Sequence, residues 1–177
     1  MVQLGYSLPA VVEAVRLLKS VPGRMEIWHF PGDVSVVVDY AHTPDALQQS
    51  LIALRQQCRG RVWCVFGCGG DRDKGKRPLM GQIAELYADH VIITADNPRT
   101  EAVLDICNDI AAGMKTGANC QIEPDRESAI KLALIEAHAH DMILVAGKGH
   151  ETYQILGSTV RDYDERKFID ALLAEMS

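Results

Sequence analysis

Four short stretches of this 177-residue sequence combine glycine or turn residues with side chains able to hold charged ligands. They are Asp39-Tyr40-Ala41-His42-Thr43-Pro44, Gly67-Cys68-Gly69-Gly70-Asp71-Arg72, Ala95-Asp96-Asn97-Pro98-Arg99 and Gly147-Lys148-Gly149-His150-Glu151. Glycines in the second stretch would let backbone N–H groups approach an anion, and Arg72 could grip a carboxylate with both arms of its guanidinium. Arg99 offers a second planar fork, which a lysine would not. Glu151, close to Gly147, supplies the negative group that an ammonium needs. Arginines for a carboxylate and a carboxylate for an amine together describe a receptor for an amino acid.

Each stretch has a plainer reading. Gly70 to Arg77 has the G-x-x-x-x-G-K frame of a phosphate-binding loop, but Arg77 stands where a hydroxyl must reach magnesium. Gly67-x-Gly69 lacks the third glycine of a dinucleotide loop. Arg72, Lys74, Lys76 and Arg77 could form a solvated basic face, Asn97-Pro98 a turn with a solvated Arg99, and Gly147 to Gly149 a turn with exposed charge. His138 and His140 lie two residues apart and do not share a helix face, so no metal role is expected of them.

All four stretches follow apolar runs of strand length, and this decides where they meet. Val34 to Val38, Arg61 to Phe66, His90 to Thr94 and Met142 to Ala146 are rich in β-branched residues without polar alternation, as strands buried on both faces are. Met25 to Phe30, Cys120 to Ile122 and Tyr153 to Leu156 are weaker strand candidates, the last at a sheet edge. Helical spacing runs from Leu8 to Lys19. Thr43-Pro44-Asp45 reads as cap, first-turn proline and first-turn acid before Leu47, Leu51 and Leu54. Thr100 is expected to cap a helix through Ile110. Asp125 precedes Ile130, Ala133, Leu134 and Ala137, and Asp164 precedes Ile169, Leu172, Leu173 and Met176, each set at one-face spacing. Strands alternating with helices predict a Rossmann-like α/β fold, a mostly parallel open sheet with helices on both faces and a single core. In such sheets ligands sit outside the carboxyl ends of the strands, where the four stretches converge.

Composition narrows the partners. The net charge of -6 disfavours a sequence-independent grip on nucleic acid, and no apolar run approaches the roughly 18 residues that cross a membrane. The N-terminus shows no pattern of an export signal, and five cysteines without C-x-x-C spacing suit free thiols in a reducing cytoplasm.

Gly23-Arg24-Met25-Glu26, Val38 to Leu47, Val65 to Met80, Asp96 to Glu101 and Ala146 to Glu151 stand in an order that resembles the Mur ligase family. Within it the likeness is to the branch that adds meso-diaminopimelate to a UDP-N-acetylmuramoyl dipeptide. The resemblance implies that the distal end of meso-diaminopimelate is read by Arg72, Asn97 and Arg99 within the Asp96-Asn97-Pro98-Arg99 motif. Gly147 and Glu151 would hold its ammonium side. Lysine lacks the distal carboxylate, so it would leave buried guanidinium groups unpaired at a cost of several kcal/mol, on the order of a hydrogen-bonded charge lost. The resemblance further implies that Arg24 reaches the phosphates of ATP, Asp39 its ribose, and that His42 lies near the nucleotide. Mg2+ ligands and the UDP-sugar site belong to domains absent here. Residues 1–22 would be the last helix and linker of a central ATPase domain, 23–177 the amino-acid-binding domain, and the chain alone would not turn over. Two alternatives stay open: a free-standing amino-acid or nucleotide binding module, and a folylpolyglutamate synthase-like ligase of the same superfamily.

Overall fold

The computed structural model describes residues 4–16, 21–115 and 117–176. After helix α1 (Leu8–Arg16) come β1 (Glu26–Phe30), β2 (Val34–Asp39), α2 (Pro44–Gln57), β3 (Val62–Phe66), α3 (Lys76–Tyr87), β4 (His90–Ile93) and α4 (Val103–Ala111). The remainder is β5 (Cys120–Ile122), α5 (Arg126–Glu136), β6 (Met142–Ala146), β7 (Tyr153–Leu156), β8 (Thr159–Asp162) and α6 (Glu165–Met176). Six strands form one sheet in the order β1-β2-β6-β3-β4-β5, parallel except for the antiparallel β1.

Successive residues of a strand point to opposite faces, and both faces here are apolar. Val37, Cys64, Phe66, Ile93 and Leu144 pack under α2, α3 and α4. Val36, Trp63, Val65, Ile92, Ile143 and Val145 pack under α5 and α6. Leu47, Leu51 and Leu54 of α2 are fully or almost fully buried, each worth about 1.5–3 kcal/mol of transfer free energy. Thr43 caps that helix through the Ala46 N–H, and Asp125 caps α5 through the Ser128 N–H.

Several expectations need correction. Thr100 caps nothing: α4 starts at Val103, and the Thr100 hydroxyl donates to Asp71 instead. β7 is not an edge of the main sheet but pairs with β8 in a separate hairpin, turned at Gly157 with φ of 61°. Met176 is largely exposed, so the apolar face of α6 ends one turn earlier. The sequence reading omitted α3, whose buried face is Arg77, Met80, Gly81 and Ala84, too charged and too small to show as an apolar stripe. Residues 17–19 of the first expected helix lie outside the described residues. Within α1, Leu8, Val12 and Val15 are exposed.

At the edge of the sheet away from the four loops, buried Asp141 accepts hydrogen bonds from the Arg61 N–H (2.7 Å), the His138 N–H (3.0 Å) and the Trp63 indole (3.0 Å). Burial alone would raise its pKa, but these donors outweigh it and hold the carboxyl below its ordinary value of 3.8. An amide accepts through one oxygen only, so Asp141→Asn should cost about 2–3 kcal/mol, seen as a lower urea midpoint at unchanged slope. A lowered folded pKa stabilises above the unfolded value and loses that contribution as pH falls through the folded one. The deficit of the variant should therefore shrink as pH falls below the ordinary 3.8 and through the lowered folded value.

Candidate functional site

The loops after β2, β3, β4 and β6 meet at the carboxyl edge of the sheet and enclose a cavity of about 430 Å3. It is lined by Tyr40, His42, Gly69, Arg72, Asp73, Lys76, Asp96, Asn97, Arg99, Gly147, Glu151 and Tyr153. Seven residues singled out from sequence are thus brought together: His42, Arg72, Asp96, Asn97, Arg99, Gly147 and Glu151. Pro98, Arg24 and Asp39 are not among the lining residues.

The cationic side is built from two interlocked loops. The Gly70 N–H donates to the Asn97 carbonyl (2.9 Å), and Arg99 Nη1 donates back to the Gly70 carbonyl (2.8 Å). A Cβ at Gly70 would sit 1.8 Å from the Pro98 carbonyl oxygen, so only glycine permits this approach, and Pro98 is a packing element. Asp71 accepts from both the Thr100 hydroxyl (2.7 Å) and its N–H (3.1 Å), which hold its carboxyl below the usual range. Arg77 is not a solvated basic residue. Fully buried, it donates to Glu101 (2.8 and 3.0 Å) and Asp109 (2.8 Å). With Lys74, it keeps Glu101 far below the ordinary carboxylate range. Arg72 remains exposed.

Arg99 has a left-handed φ of 52°, a conformation costing a non-glycine residue about 1–2 kcal/mol. The β7–β8 hairpin imposes it: the Arg99 N–H donates to the Ile155 carbonyl (3.1 Å), and the Gly157 N–H to the Arg99 carbonyl (2.7 Å). The same hairpin binds the Asp96 carbonyl through Gln154 (2.9 Å) and Asn97 Oδ1 through the Ile155 N–H (3.0 Å). Nη1 of Arg99 is consumed by the Gly70 and Asn97 carbonyls, while the side chain still lines the cavity.

The anionic side contains a group that sequence alone left as exposed charge. The Lys148 side chain is fully buried, with Nζ 3.2 Å from Asn97 Oδ1, 3.4 Å from Glu151 Oε2 and 3.5 Å from Asp96 Oδ1. Asn97 donates through Nδ2 to Glu151 (3.0 Å), and the Tyr40 hydroxyl approaches the other Glu151 oxygen (3.4 Å). Asp96 Oδ1 is buried without a hydrogen-bond partner, an oxygen with acceptor capacity to spare. The cavity is therefore lined by charges of both signs, Arg72, Lys76 and Arg99 with Asp73, Asp96 and Glu151.

The residues expected near a nucleotide divide. Exposed Arg24 lies over the Tyr40 ring at 4.7 Å, and His42 and His150 flank the same ring at 4.7 and 5.1 Å. Lys76 Nζ donates to the His42 carbonyl (2.8 Å). Asp39, in contrast, is only 7% exposed and already accepts from the Met25 N–H (2.9 Å), the Ala41 N–H (3.0 Å) and the Ser50 hydroxyl (3.0 Å). This geometry ties Asp39 to the Met25 segment and to α2. Tyr40 and Tyr153 were missed as lining residues, although Tyr40 stands directly after β2, where ligands of such sheets are found.

Among the described residues, no three of His, Cys, Asp and Glu gather as a metal-binding cluster, and no helix is long and apolar enough to cross a membrane. All five cysteines are unpaired; Cys64 and Cys68 belong to the apolar core, and burial pushes the Cys68 thiol up to about 12.

Relatives share this arrangement over nearly the whole chain. Residues 23–149 match the Mur ligase, glutamate ligase domain family. The chain is 51% identical over 167 residues to the UDP-N-acetylmuramoyl-L-alanyl-D-glutamate–2,6-diaminopimelate ligase of Haemophilus influenzae, covering 94% of this chain and 34% of that protein. It thus spans about a third of the length of the curated relatives it matches. A solved structure of a ligase of the same name superimposes with a TM-score of 0.84 at 42% identity, over 98% of this chain and 36% of the other. A UDP-N-acetylmuramate-alanine ligase from Thermotoga maritima, at 22% identity and TM-score 0.66, covers 98% of this chain and 35% of its own and shares the fold. On the family match over most of its length, the chain belongs to the Mur ligase family, of which it carries the glutamate ligase domain.

Proposed function

We propose that this chain is the amino-acid-binding domain of an ATP-dependent ligase that joins meso-diaminopimelate to UDP-N-acetylmuramoyl-L-alanyl-D-glutamate in peptidoglycan precursor synthesis. The observation that carries the reading is the cavity of about 430 Å3, whose lining brings Arg72 and Arg99 together with Asp96 and Glu151. The distal carboxylate of diaminopimelate meets the two guanidinium groups, and the distal ammonium meets the Asp96 and Glu151 carboxylates. The proximal amine then projects out of the domain.

In the reaction, ATP phosphorylates the D-glutamate side-chain carboxylate in a domain outside this chain. The amine attacks that acyl phosphate, the C–N bond forms, the C–O bond to phosphate breaks and the amine proton is released. Mg2+ would be held with ATP by residues outside this chain, and the muramoyl dipeptide likewise. The contribution here is orientation: the nucleophile is presented from a preorganised pocket rather than from solution. Arg24, exposed beside Tyr40 and His42, is placed to add positive charge to phosphates when the domains close. Residues 1–22 form the connection to the ATPase domain, and the five unpaired thiols suit a reducing cytoplasm.

Three outcomes follow. Calorimetric titration should give saturable binding of meso-diaminopimelate and none of L-lysine; equal binding of both would exclude this selectivity. Arg99→Lys keeps the charge but loses the fork, and should weaken diaminopimelate binding by about 1.4–2.8 kcal/mol, roughly 10- to 100-fold. The third uses an enzyme in which this chain replaces the matching segment of the Haemophilus influenzae relative. Phosphate release should require diaminopimelate, and Arg24→Ala should raise the KM for ATP about tenfold or more while leaving the KM for diaminopimelate unchanged.

A further inference from the structure

A lysine with no exposed side-chain surface, enclosed by three oxygens from two loops of the cavity, is not needed to explain the fold. Lys148 Nζ contacts Asn97 Oδ1 (3.2 Å), Glu151 Oε2 (3.4 Å) and Asp96 Oδ1 (3.5 Å), and it lies 5.7 Å from the Tyr153 ring centroid. Burying a charge is costly unless partners compensate it, and here both carboxylates of the anionic side are those partners. We propose that Lys148 is the internal counter-cation of this site, a specificity-determining positioning residue that cancels one of the two carboxylates and leaves one net negative charge for one ligand ammonium. The inference rests on the amino-acid-binding reading above.

Two geometric consequences support it. Asn97 could present either end of its amide, and Lys148 (3.2 Å) together with the Ile155 N–H (3.0 Å) requires the oxygen; Nδ2 then points to Glu151 and orients that carboxylate (3.0 Å). Asp96 Oδ1 is shut off from solvent and has no hydrogen bond, and Lys148 stands within ion-pair distance of it (3.5 Å), so the lysine compensates the inner oxygen of that carboxylate. Without Lys148, Asp96 and Glu151 would face each other in a largely enclosed space. The other groups facing them do not substitute for it: Tyr40 is a neutral donor to Glu151, Tyr153 is a ring, and the buried Arg126 is already paired with Glu165. Arg72 and Arg99 stand among the lining residues on the cationic side. Two carboxylates that both reach one nitrogen repel each other once that cation is gone, and ionisation of one then disfavours ionisation of the other.

The test compares the wild-type chain, Lys148→Met and Lys148→Met/Glu151→Gln. Side-chain carboxyl carbons are followed by 13C NMR from pH 3 to pH 9, without ligand. The single variant should show one carboxyl of the Asp96 and Glu151 pair titrating at higher pH than any carboxyl of that pair does in wild type or the double variant. Titration of both as in the wild type in a folded Lys148→Met protein would overturn the proposal. If the single variant does not fold but the double variant does, restored by removing the excess charge, the counter-cation role is supported. If neither folds, Lys148 is a packing element and the proposal falls. Calorimetry with meso-diaminopimelate separates this from the ligand assignment. The affinity of wild type should be flat between pH 6 and 8, and that of Lys148→Met should fall up to tenfold per unit as pH drops, because a proton must leave before the ammonium enters. A packing role would lower affinity equally at every pH. Failure of wild type to bind diaminopimelate would count against the ligand reading, while the ligand-free titration still decides the role of Lys148.

Discussion

The site depends on a buried ion pair that does not touch the cavity. Arg126, in the first turn of α5, and Glu165, in the first turn of α6, both have no exposed side-chain surface and pair directly through Nε and a carboxylate oxygen. Arg126 donates further to the Ala95 carbonyl (3.2 Å) and the Ala146 carbonyl (2.8 Å), the residues immediately before Asp96 and Gly147. The Tyr163 hydroxyl donates to Glu165 (3.3 Å). Desolvating such a pair costs several kcal/mol per ion, and the guanidinium recovers this only because four acceptor contacts surround it. Two of the four, to the Ala95 and Ala146 carbonyls, fix where two functional loops leave the sheet.

From that fixed point the cavity is assembled by loops that satisfy one another. The hairpin of β7 and β8 supplies hydrogen-bond partners to Asp96, Asn97 and Arg99, and it holds Arg99 in a conformation the residue would not adopt alone. Arg77 and Glu101 close the β3 loop onto the β4 loop. Preorganised charge of both signs at a short distance is expensive to build and selective once built, because a guest lacking either charge leaves the other uncompensated. This matches a ligand that is itself zwitterionic at one end.

Much of this was legible in the sequence, and the boundary has physical reasons. The central strands declared themselves through β-branched runs buried on both faces, and α2 through Thr43-Pro44-Asp45. The four loops could be placed at one edge because parallel strands put all their carboxyl ends there. What stayed hidden depends on contacts distant in sequence. Nothing near Arg77 or Lys148 shows that Glu101, Asp109, Asn97 and Asp96 will enclose them, and by residue type both belong on the surface. Asp39 looked available for a ligand until the Met25 N–H and the Ser50 hydroxyl took its oxygens. The β8 strand carried a usable signal in Gly157-Ser158, a two-residue turn between short strand-like segments.

The most direct check of the dipolar receptor is a crystal structure of the chain with meso-diaminopimelate bound. The account predicts one orientation, with the distal carboxylate on Arg72 and Arg99, the distal ammonium on Asp96 and Glu151, and Lys148 still enclosed beneath them. A ligand bound with its carboxylate toward Asp96, or bound at another surface with this cavity unfilled, would contradict it.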